Sequence, residues 1–246
     1  MIGKSIKINS FRKYTRKFTE NQLKEGDDPM AELVQEAALL EARTRAVLYN
    51  IFADAMSRKI DPSWLKPEFQ EKLESGLPEV EGKQELIDSL TRAAYVKDYF
   101  EEIQLDYDAL FIVPGPKLIF PYESCYTHRN IDGSFGRLWQ EPAQDMQRIL
   151  KDWEIKFADG WDLIPDHVAV ELFFMGHLCH MACVTELQAE DKEKILEWEK
   201  SFFESHLNNW VFELLDNLIR KAETGFYRGL AMLMRAFLEE EKAGLE

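Results

Sequence analysis

Apolar side chains recur at helical spacing along most of the chain. Residues 30–60 contain neither proline nor glycine, and apolar or small residues return every three or four positions. This spacing predicts a long amphipathic helix, which the pairs Asp61-Pro62 and Lys66-Pro67 are expected to end. A short helix is predicted around residues 69–73, and helical spacing resumes over residues 83–104.

The C-terminal part of the chain has the same periodicity. No proline follows Pro165, and because an interior proline costs a helix about 3 kcal/mol, its absence permits long helices. One amphipathic run spans residues 196–222, and another spans residues 226–238, with Gly225 as the expected break between them. A further helix is predicted over residues 143–156.

Strand patterns are weak by comparison. The apolar pieces 111–113 and 118–120 are too short to carry a sheet, and no run alternates with period two over a useful length. We therefore predict an all-α protein, a single bundle of about eight or more helices. Prolines and glycines crowd into residues 114–142, and a loop of this length within a compact domain usually has a function.

The stretch 163–175 has the pattern of a helix N-terminus with polar residues around its first turn. Pro165 suits a first helical turn, and the carboxylate of Asp166 suits the same end, where free N–H groups point outward. His167 and Glu171 are four residues apart and share a face. From these residues alone the pattern favours a capped helix with an incidental histidine, and the alternative is a polar recognition site. The residues assigned to the core side of this helix are Val168, Leu172, Met175 and Cys179.

Charge limits the partners. The 246 residues carry a formal net charge of −15, and 46% of them are hydrophobic, which is enough for a sizeable core. Such an acidic surface repels nucleic acid and anionic lipid and favours a basic partner. Residues 1–29 differ, because seven Lys and Arg face only four acidic residues there. We predict a basic N-terminal extension over residues 1–29, frayed or forming a short amphipathic helix, and a helical domain over residues 30–246.

No sign of export or membrane insertion is present in the sequence. The basic N-terminus is not followed by an apolar segment typical of a signal peptide, and no stretch of 18 apolar residues is present. Three cysteines do not make a disulfide framework in a chain of this length. The expected compartment is the cytoplasm. Long helices joined by a long loop are compatible with a monomer or with a swapped dimer.

No catalytic constellation stands out. The chain lacks a Gly-x-Gly-x-x-Gly fingerprint, a phosphate-binding Gly-Lys-Ser/Thr loop and a Gly-x-Ser-x-Gly elbow. Ser124 precedes His128 by four residues, but no third member of a triad is evident. The run from His177 to Cys183 offers metal-ligating side chains, yet one helix can supply only two or three of them. We therefore predict no enzyme, no cofactor and no metal site.

Four motifs resemble a known family when taken together. They are Leu105-Asp-Tyr-Asp-Ala-Leu-Phe-Ile-Val-Pro-Gly-Pro116, Pro121-Tyr-Glu-Ser-Cys-Tyr126, Pro165-Asp-His167 followed by Glu171-Leu-Phe-Phe-Met175, and Phe203-x-x-His206-Leu-x-x-Trp210. In this order they resemble the TorD/DmsD/NarJ family, over roughly residues 30–240. The resemblance implies an all-helical, cytoplasmic chaperone for molybdopterin-containing oxidoreductases.

The resemblance also implies a partner and a site. Such a chaperone binds the twin-arginine signal peptide or N-terminus of the catalytic subunit of a molybdopterin oxidoreductase, and holds it for cofactor insertion. Adjacent arginines call for carboxylates, and the apolar run after them calls for an apolar groove. The residues expected at the peptide site are Tyr107, Leu110, Phe111, Glu123, Ser124, Pro165, Asp166, His167 and Glu171.

Two alternatives remain open from the sequence. The chain could be a metal-binding helical protein that uses the Cys/His run of residues 177–183. It could also be a helical adaptor whose basic extension binds an acidic partner.

Overall fold

The computed structural model describes residues 29–157, 162–184 and 187–245. The basic extension predicted for residues 1–29 thus lies outside the described residues, apart from Pro29. Within the described residues the fold is all-α, as predicted, with ten α-helices and no strand longer than an isolated bridge between Tyr122 and His167. None of the described helices has both the length and the apolar character that a membrane crossing needs.

The helices follow one another with short connections, except around residues 113–140 and between residues 152 and 168. They are α1 (Pro29–Ser57), α2 (Pro67–Gly76), α3 (Lys83–Tyr95), α4 (Lys97–Tyr107), α5 (Glu123–Thr127), α6 (Glu141–Asp152), α7 (Val168–Ala182), α8 (Ala189–Ser205), α9 (Val211–Lys221) and α10 (Gly225–Leu245). Short 3₁₀ helices occur at Pro62–Leu65 and Leu207–Asn209, and a π-helical turn at Asp108–Ile112 extends α4.

Two predicted helices are each broken into two. The run over residues 83–104 is interrupted at Val96, whose backbone is extended (φ −120°, ψ 97°). The run over residues 196–222 breaks at His206 (φ −111°, ψ −85°), where α8 ends before the 3₁₀ turn that precedes α9. Apolar spacing continues across both breaks, so the periodicity alone could not detect them. At His206 the break accompanies a buried hydrogen bond from its ring to Glu123.

Helix α7 forms the centre of the bundle. Its side chains are buried all round from Val168 to Cys179, which is the pattern of a helix packed on every face. α1 packs closely along it, because at Gly176 an added Cβ would lie 3.1 Å from the Cβ of Tyr49. α10 lies antiparallel to α1, since Tyr49 meets Phe237 while Trp64, beyond the end of α1, meets Phe226.

An ionic cluster ties α1 to α8 and α10. The Arg45 guanidinium donates to Glu199 and Glu241, with N···O distances of 2.7 Å, and the Tyr49 hydroxyl donates to Glu241 at 2.8 Å. Burial, followed by the charge of Glu241, raises the pKa of Tyr49 well above its ordinary value. The phenol therefore stays neutral and remains a donor to this carboxylate.

Helices α3 and α10 approach each other through two glycines. Gly82, just before α3, has a φ of +91°, which disfavours any residue with a Cβ. A Cβ on Gly229 of α10 would lie 2.6 Å from the Leu86 nitrogen and 2.8 Å from the Gly82 oxygen. Both atoms belong to the backbone, so neither can move without displacing α3.

We expect Gly229→Ala to destabilise the fold by about 3 kcal/mol, in the upper range for overpacking, because α3 must move away from α10. Gly244→Ala in the same helix is the matched control, since nothing lies within 4 Å of an added Cβ there. Urea unfolding followed by circular dichroism measures both variants. Equal stability of the two variants would contradict the close helix contact.

Candidate functional site

Two distant segments of the chain meet as a short antiparallel pair. The Glu123 nitrogen donates to the Asp166 oxygen at 3.0 Å, and the Val168 nitrogen donates to the Pro121 oxygen at 2.9 Å. The end of the Pro/Gly-rich segment is thereby fixed to the start of α7. The predicted motifs at residues 121–126 and 165–167 are therefore neighbours in the fold.

Asp166 is held by Ser124 and not by its own helix. Its Oδ2 accepts from the Ser124 nitrogen at 2.9 Å and from the Ser124 hydroxyl at 2.5 Å. The same hydroxyl accepts from the Gln140 nitrogen at 3.2 Å. Asp166 was expected to meet the free N–H groups of the helix that follows it, but the structure directs its carboxylate to α5.

The start of α7 is capped by His167. Its Nδ1 accepts from the Ala169 nitrogen at 3.0 Å, and its ring meets Tyr122 edge-on, with the centroids 5.1 Å apart. Burial lowers the pKa of His167 to about 3. The imidazole is thus neutral at physiological pH, as an accepting Nδ1 requires.

A pair of buried glutamates lies beneath this cap. Glu171 accepts from the Trp210 indole at 3.1 Å, and Glu123 accepts from or donates to His206 Nδ1 at 2.8 Å. Burial first, and then the charges of Glu123 and Asp166, raise the pKa of Glu171 well above its ordinary value. A protonated Glu171 removes the repulsion between two carboxylates in one buried space.

Glu123, Glu171 and His206 are the one set of three candidate metal ligands in the described parts of the chain, with ligand atoms within 4.8 Å of one another. Each already has a hydrogen-bond partner in the protein, and all three are buried. The arrangement is accounted for by hydrogen bonds among His206, Trp210 and the two carboxyl groups. It offers no route by which a substrate could reach it.

Tyr107 and Phe111 belong to a separate aromatic cluster, and Leu110 is buried beside them in the chain. The rings of Tyr107 and Phe111 are 5.0 Å apart, and both contact Tyr227 of α10. Burial, followed by the proximity of Tyr122, raises the pKa of Tyr107 to about 12. The Ile119 nitrogen donates to the Leu110 oxygen at 2.7 Å, which ties this cluster to the segment that leads into Tyr122 and Glu123. The predicted site residues therefore lie on directly connected segments of the fold.

Most of the predicted site residues are inaccessible in this conformation. Only Phe111 and Pro165 are partly exposed; the buried ones are Tyr107, Leu110, Glu123, Ser124, Asp166, His167 and Glu171. A peptide cannot touch these seven side chains without opening the fold. Direct contact between these side chains and a peptide therefore stays a prediction. In the structure they hold neighbouring segments of the chain in place.

The outer face of α4 borders an open groove of about 900 Å³ that also involves α3 and the start of α10. It is rich in carboxyl groups, and the acidic side chains lining it are Glu85, Asp88, Glu102, Asp106 and Glu223. Arg92 and Arg228 are the only cations in its lining as described, and Arg92 lies over the Tyr99 ring, 4.0 Å from its centroid. The groove as lined is therefore acidic.

An apolar stripe continues from this groove along the end of α4. Leu105, Ile112 and Val113 are 66%, 61% and 53% exposed, and Leu105 also lines the groove. Leu105 lies in α4, Ile112 ends the π-helical turn that extends α4, and Val113 follows this turn with an extended backbone (φ −89°, ψ 125°). The three exposed side chains therefore lie on successive parts of one continuous segment. The stripe and the groove together form a surface with acidic and apolar parts in direct succession.

The Cys/His run of residues 177–183 lies mostly in the core. Cys179 and Cys183 are buried free thiols, and the Cys183 thiol donates to the Cys179 carbonyl, with an S···O distance of 3.2 Å. Burial raises the pKa of Cys183 and lowers the pKa of His177 to about 4. Raised thiol pKa values disfavour the thiolates that a metal site needs.

Sequence reasoning missed three parts of this region. His206 and Trp210 were noticed within a motif but not assigned to the site, although they complete its hydrogen bonds. Asp88 and Glu102 carry no sequence signal, because they are two among 45 acidic residues. The stripe could not be found from helical spacing, because the π-helical turn at Asp108–Ile112 and the extended backbone at Val113 interrupt the α-helical period.

We expect Glu171→Gln to change how stability depends on pH. A carboxyl group whose pKa is raised by folding stabilises the fold fully below its unfolded pKa, about 4.3, and loses that contribution as pH rises towards the folded pKa. The glutamine side chain imitates the protonated acid and keeps an acceptor for the Trp210 indole. Relative to wild type, the variant should gain stability as pH rises from about 5 to about 8, measured by urea unfolding.

Asp162→Asn is a suitable control because this residue is exposed and lies near the same helix start. It should show no such trend with pH. A stability difference between Glu171→Gln and wild type that is independent of pH would contradict a protonated Glu171.

Comparison with known proteins agrees with the fold and with the motifs. The sequence profile described as nitrate reductase delta subunit matches residues 73–216. The chaperone protein TorD of Vibrio parahaemolyticus is 27% identical over 209 residues, covering 82% of this chain and 94% of the relative. TorD of Shewanella sp. (strain ANA-3) is 26% identical over 212 residues, which again cover 82% of this chain and 94% of the relative. TorD of Photobacterium profundum is 31% identical over 144 residues, which cover 58% of this chain and 64% of the relative.

The profile match spans more than half of the chain. Chaperones of this family bind molybdoenzyme subunits, are cytoplasmic and are not enzymes. The chain belongs to the nitrate reductase delta subunit (NarJ/TorD) family and is a TorD-like chaperone for molybdoenzyme maturation.

Proposed function

We propose that this chaperone binds the twin-arginine signal peptide, or the corresponding N-terminus, of a molybdopterin-containing oxidoreductase subunit and holds it until the cofactor is inserted. The supporting observation is the acidic groove that continues into an exposed apolar stripe. A leader of this kind has two adjacent arginines followed by an apolar run. The two arginines therefore match the acidic groove, and the apolar run after them matches the apolar stripe that follows the groove.

The groove contains carboxylates that can each pair with one of the two leader arginines. Glu85 is paired with Arg228, and Glu223 is paired with Lys117. Asp106 accepts from the backbone of residues 223 and 224. Within the described part of the chain, Asp88 and Glu102 have no ion pair. These two carboxylates are exposed and are the ones we assign to the leader arginines.

The stripe suits the apolar run that follows. Leu105 joins the two parts, because it lines the groove and also begins the stripe. Exposed apolar patches of this kind mark interaction sites more often than isolated apolar residues do. A leader with its arginines at Glu102 would continue along Ile112 and Val113.

The residues expected from the motifs take a supporting role in this proposal. Tyr107 at the end of α4 and Leu110 in the π-helical turn are buried and hold this segment against the core, while Leu105 and Glu102 are exposed. Phe111 and Pro165 are the partly exposed members that can contact the leader. Glu123, Ser124, Asp166, His167 and Glu171 keep the neighbouring segments in place.

The required affinity is modest, since a chaperone of this kind must also release its partner. A micromolar complex corresponds to about −8 kcal/mol. A few hundred Å² of apolar contact with one or two charge pairs can provide this after ordering costs.

We expect the double variant Asp88→Asn/Glu102→Gln to raise the Kd for a synthetic twin-arginine leader about five- to tenfold, since two exposed charge pairs are lost. Isothermal titration calorimetry measures the binding. The same peptide with two lysines should bind wild type more weakly, because lysine lacks the planar fork of arginine. This preference for arginine should shrink in the double variant.

The double variant Glu193→Gln/Glu197→Gln is the matched control. It removes the same charge from exposed positions of α8, on an element that does not line the groove. If it weakens leader binding as much as the groove variant, only the net charge of the protein matters and the assignment of the groove is wrong.

A further inference from the structure

The segment between α5 and α6 is tightly organised despite its lack of regular structure. The Asn130 amide donates to the Ser134 hydroxyl and to the Phe135 oxygen, and Asp132 accepts from the nitrogen and hydroxyl of Ser134. Arg129 donates to the Gly133 oxygen. We call residues 128–140 the α5–α6 loop. Its shape is set by its own hydrogen bonds.

The loop is also anchored to the buried network described above. The Gln140 amide donates to the oxygens of Ser124, His128 and Arg137, and the Gln140 nitrogen donates to the Ser124 hydroxyl. Ser124 in turn is held by Asp166. The motif residues that carry the family resemblance thus fix the exit of this loop. Gly136 donates to the Cys125 oxygen at 2.8 Å and closes the other side.

This fixed loop presents apolar side chains to solvent. Ile131 at its tip is fully exposed, and Leu138 and Trp139 are 41% and 52% exposed. Trp139 has a φ of 62°, in the left-handed region that non-glycine residues seldom adopt. Strained backbone of this kind is retained where the surrounding structure enforces it, and it is concentrated at binding sites. The packing of the fold does not explain why a tryptophan occupies this position.

We propose that the α5–α6 loop is a docking surface for the folded part of the molybdoenzyme subunit, with Ile131, Leu138 and Trp139 as its contacts, separate from the leader groove. The family binds molybdoenzyme subunits, and the loop is the exposed feature that the buried motif residues hold in place. Exposed tryptophan and arginine on a preorganised loop are typical of residues that dominate protein interfaces.

The loop favours, as its complementary surface, an apolar pocket with a carboxylate positioned opposite Arg137. Arg137 is exposed and has no carboxylate within ion-pair distance in the described part of the chain. An anionic membrane is a poor partner, because the chain has a net charge of −15 and both Asp132 and Glu141 flank the apolar contacts. A second copy of this acidic chain is disfavoured by the same repulsion.

The test compares two probes with one variant. The variant is Ile131→Ser/Trp139→Asn, in which asparagine tolerates the left-handed backbone and so preserves the loop. The first probe is the cofactor-free catalytic subunit of a molybdopterin oxidoreductase that this chaperone binds, with its leader deleted. The second probe is the synthetic leader peptide alone. We expect at least a tenfold weaker Kd for the leaderless subunit and a change of less than twofold for the peptide.

Leu40→Ser/Leu196→Ser is the matched control, since it removes two exposed apolar side chains from α1 and α8. It should bind both probes as wild type does. Failure of wild type to bind the leaderless subunit would overturn the proposal, as would unchanged binding by the loop variant or an equal loss in the control. Failure of the leader peptide alone would count against the leader groove and leave this loop surface standing.

Discussion

The hydrogen bonds from Ser124 to the Asp166 carboxylate are the constraint on which this region of the structure depends. They join two segments more than forty residues apart, and both partners are buried. A hydrogen bond to a buried charged group contributes about 1.5–3 kcal/mol, and leaving such a group unpaired costs more. Through this contact α7, α5 and the α5–α6 loop take one fixed arrangement.

The neighbouring polar groups are compatible with burial because most of them are neutral or paired. His167 stays uncharged because its pKa falls to about 3 on burial. Glu171 is protonated because its pKa is raised, and Glu123 shares a hydrogen bond with His206. A fully ionised set would bring three carboxylates into one apolar space, which is strongly unfavourable. Such a network defines positions closely, but it has no surface with which to bind a ligand.

The sequence predicted the fold well and the surface poorly, for different reasons. Periodicity depends on core contacts, so it located α1 and α10, and the break expected at Gly225 lies directly before it, at residues 222–224. It failed at Val96 and His206, because the backbone turns there without any loss of apolar spacing. The motifs identified residues that belong together in space, yet a motif does not state which way a side chain points. Asp88 and Glu102 gave no signal, since the groove they line forms only when α3 and α4 come together.

Separation of the buried scaffold from the exposed surface has a consequence for recognition. Buried residues such as Ser124 and Asp166 cannot distinguish one partner from another, so their presence marks the family and not the client. Discrimination between molybdoenzyme subunits must come from exposed side chains, which can change without disturbing the core. Leu105, Glu102 and Trp139 are residues of this kind. Relatives only 26–31% identical can therefore keep one scaffold while the surfaces that meet the partner diverge.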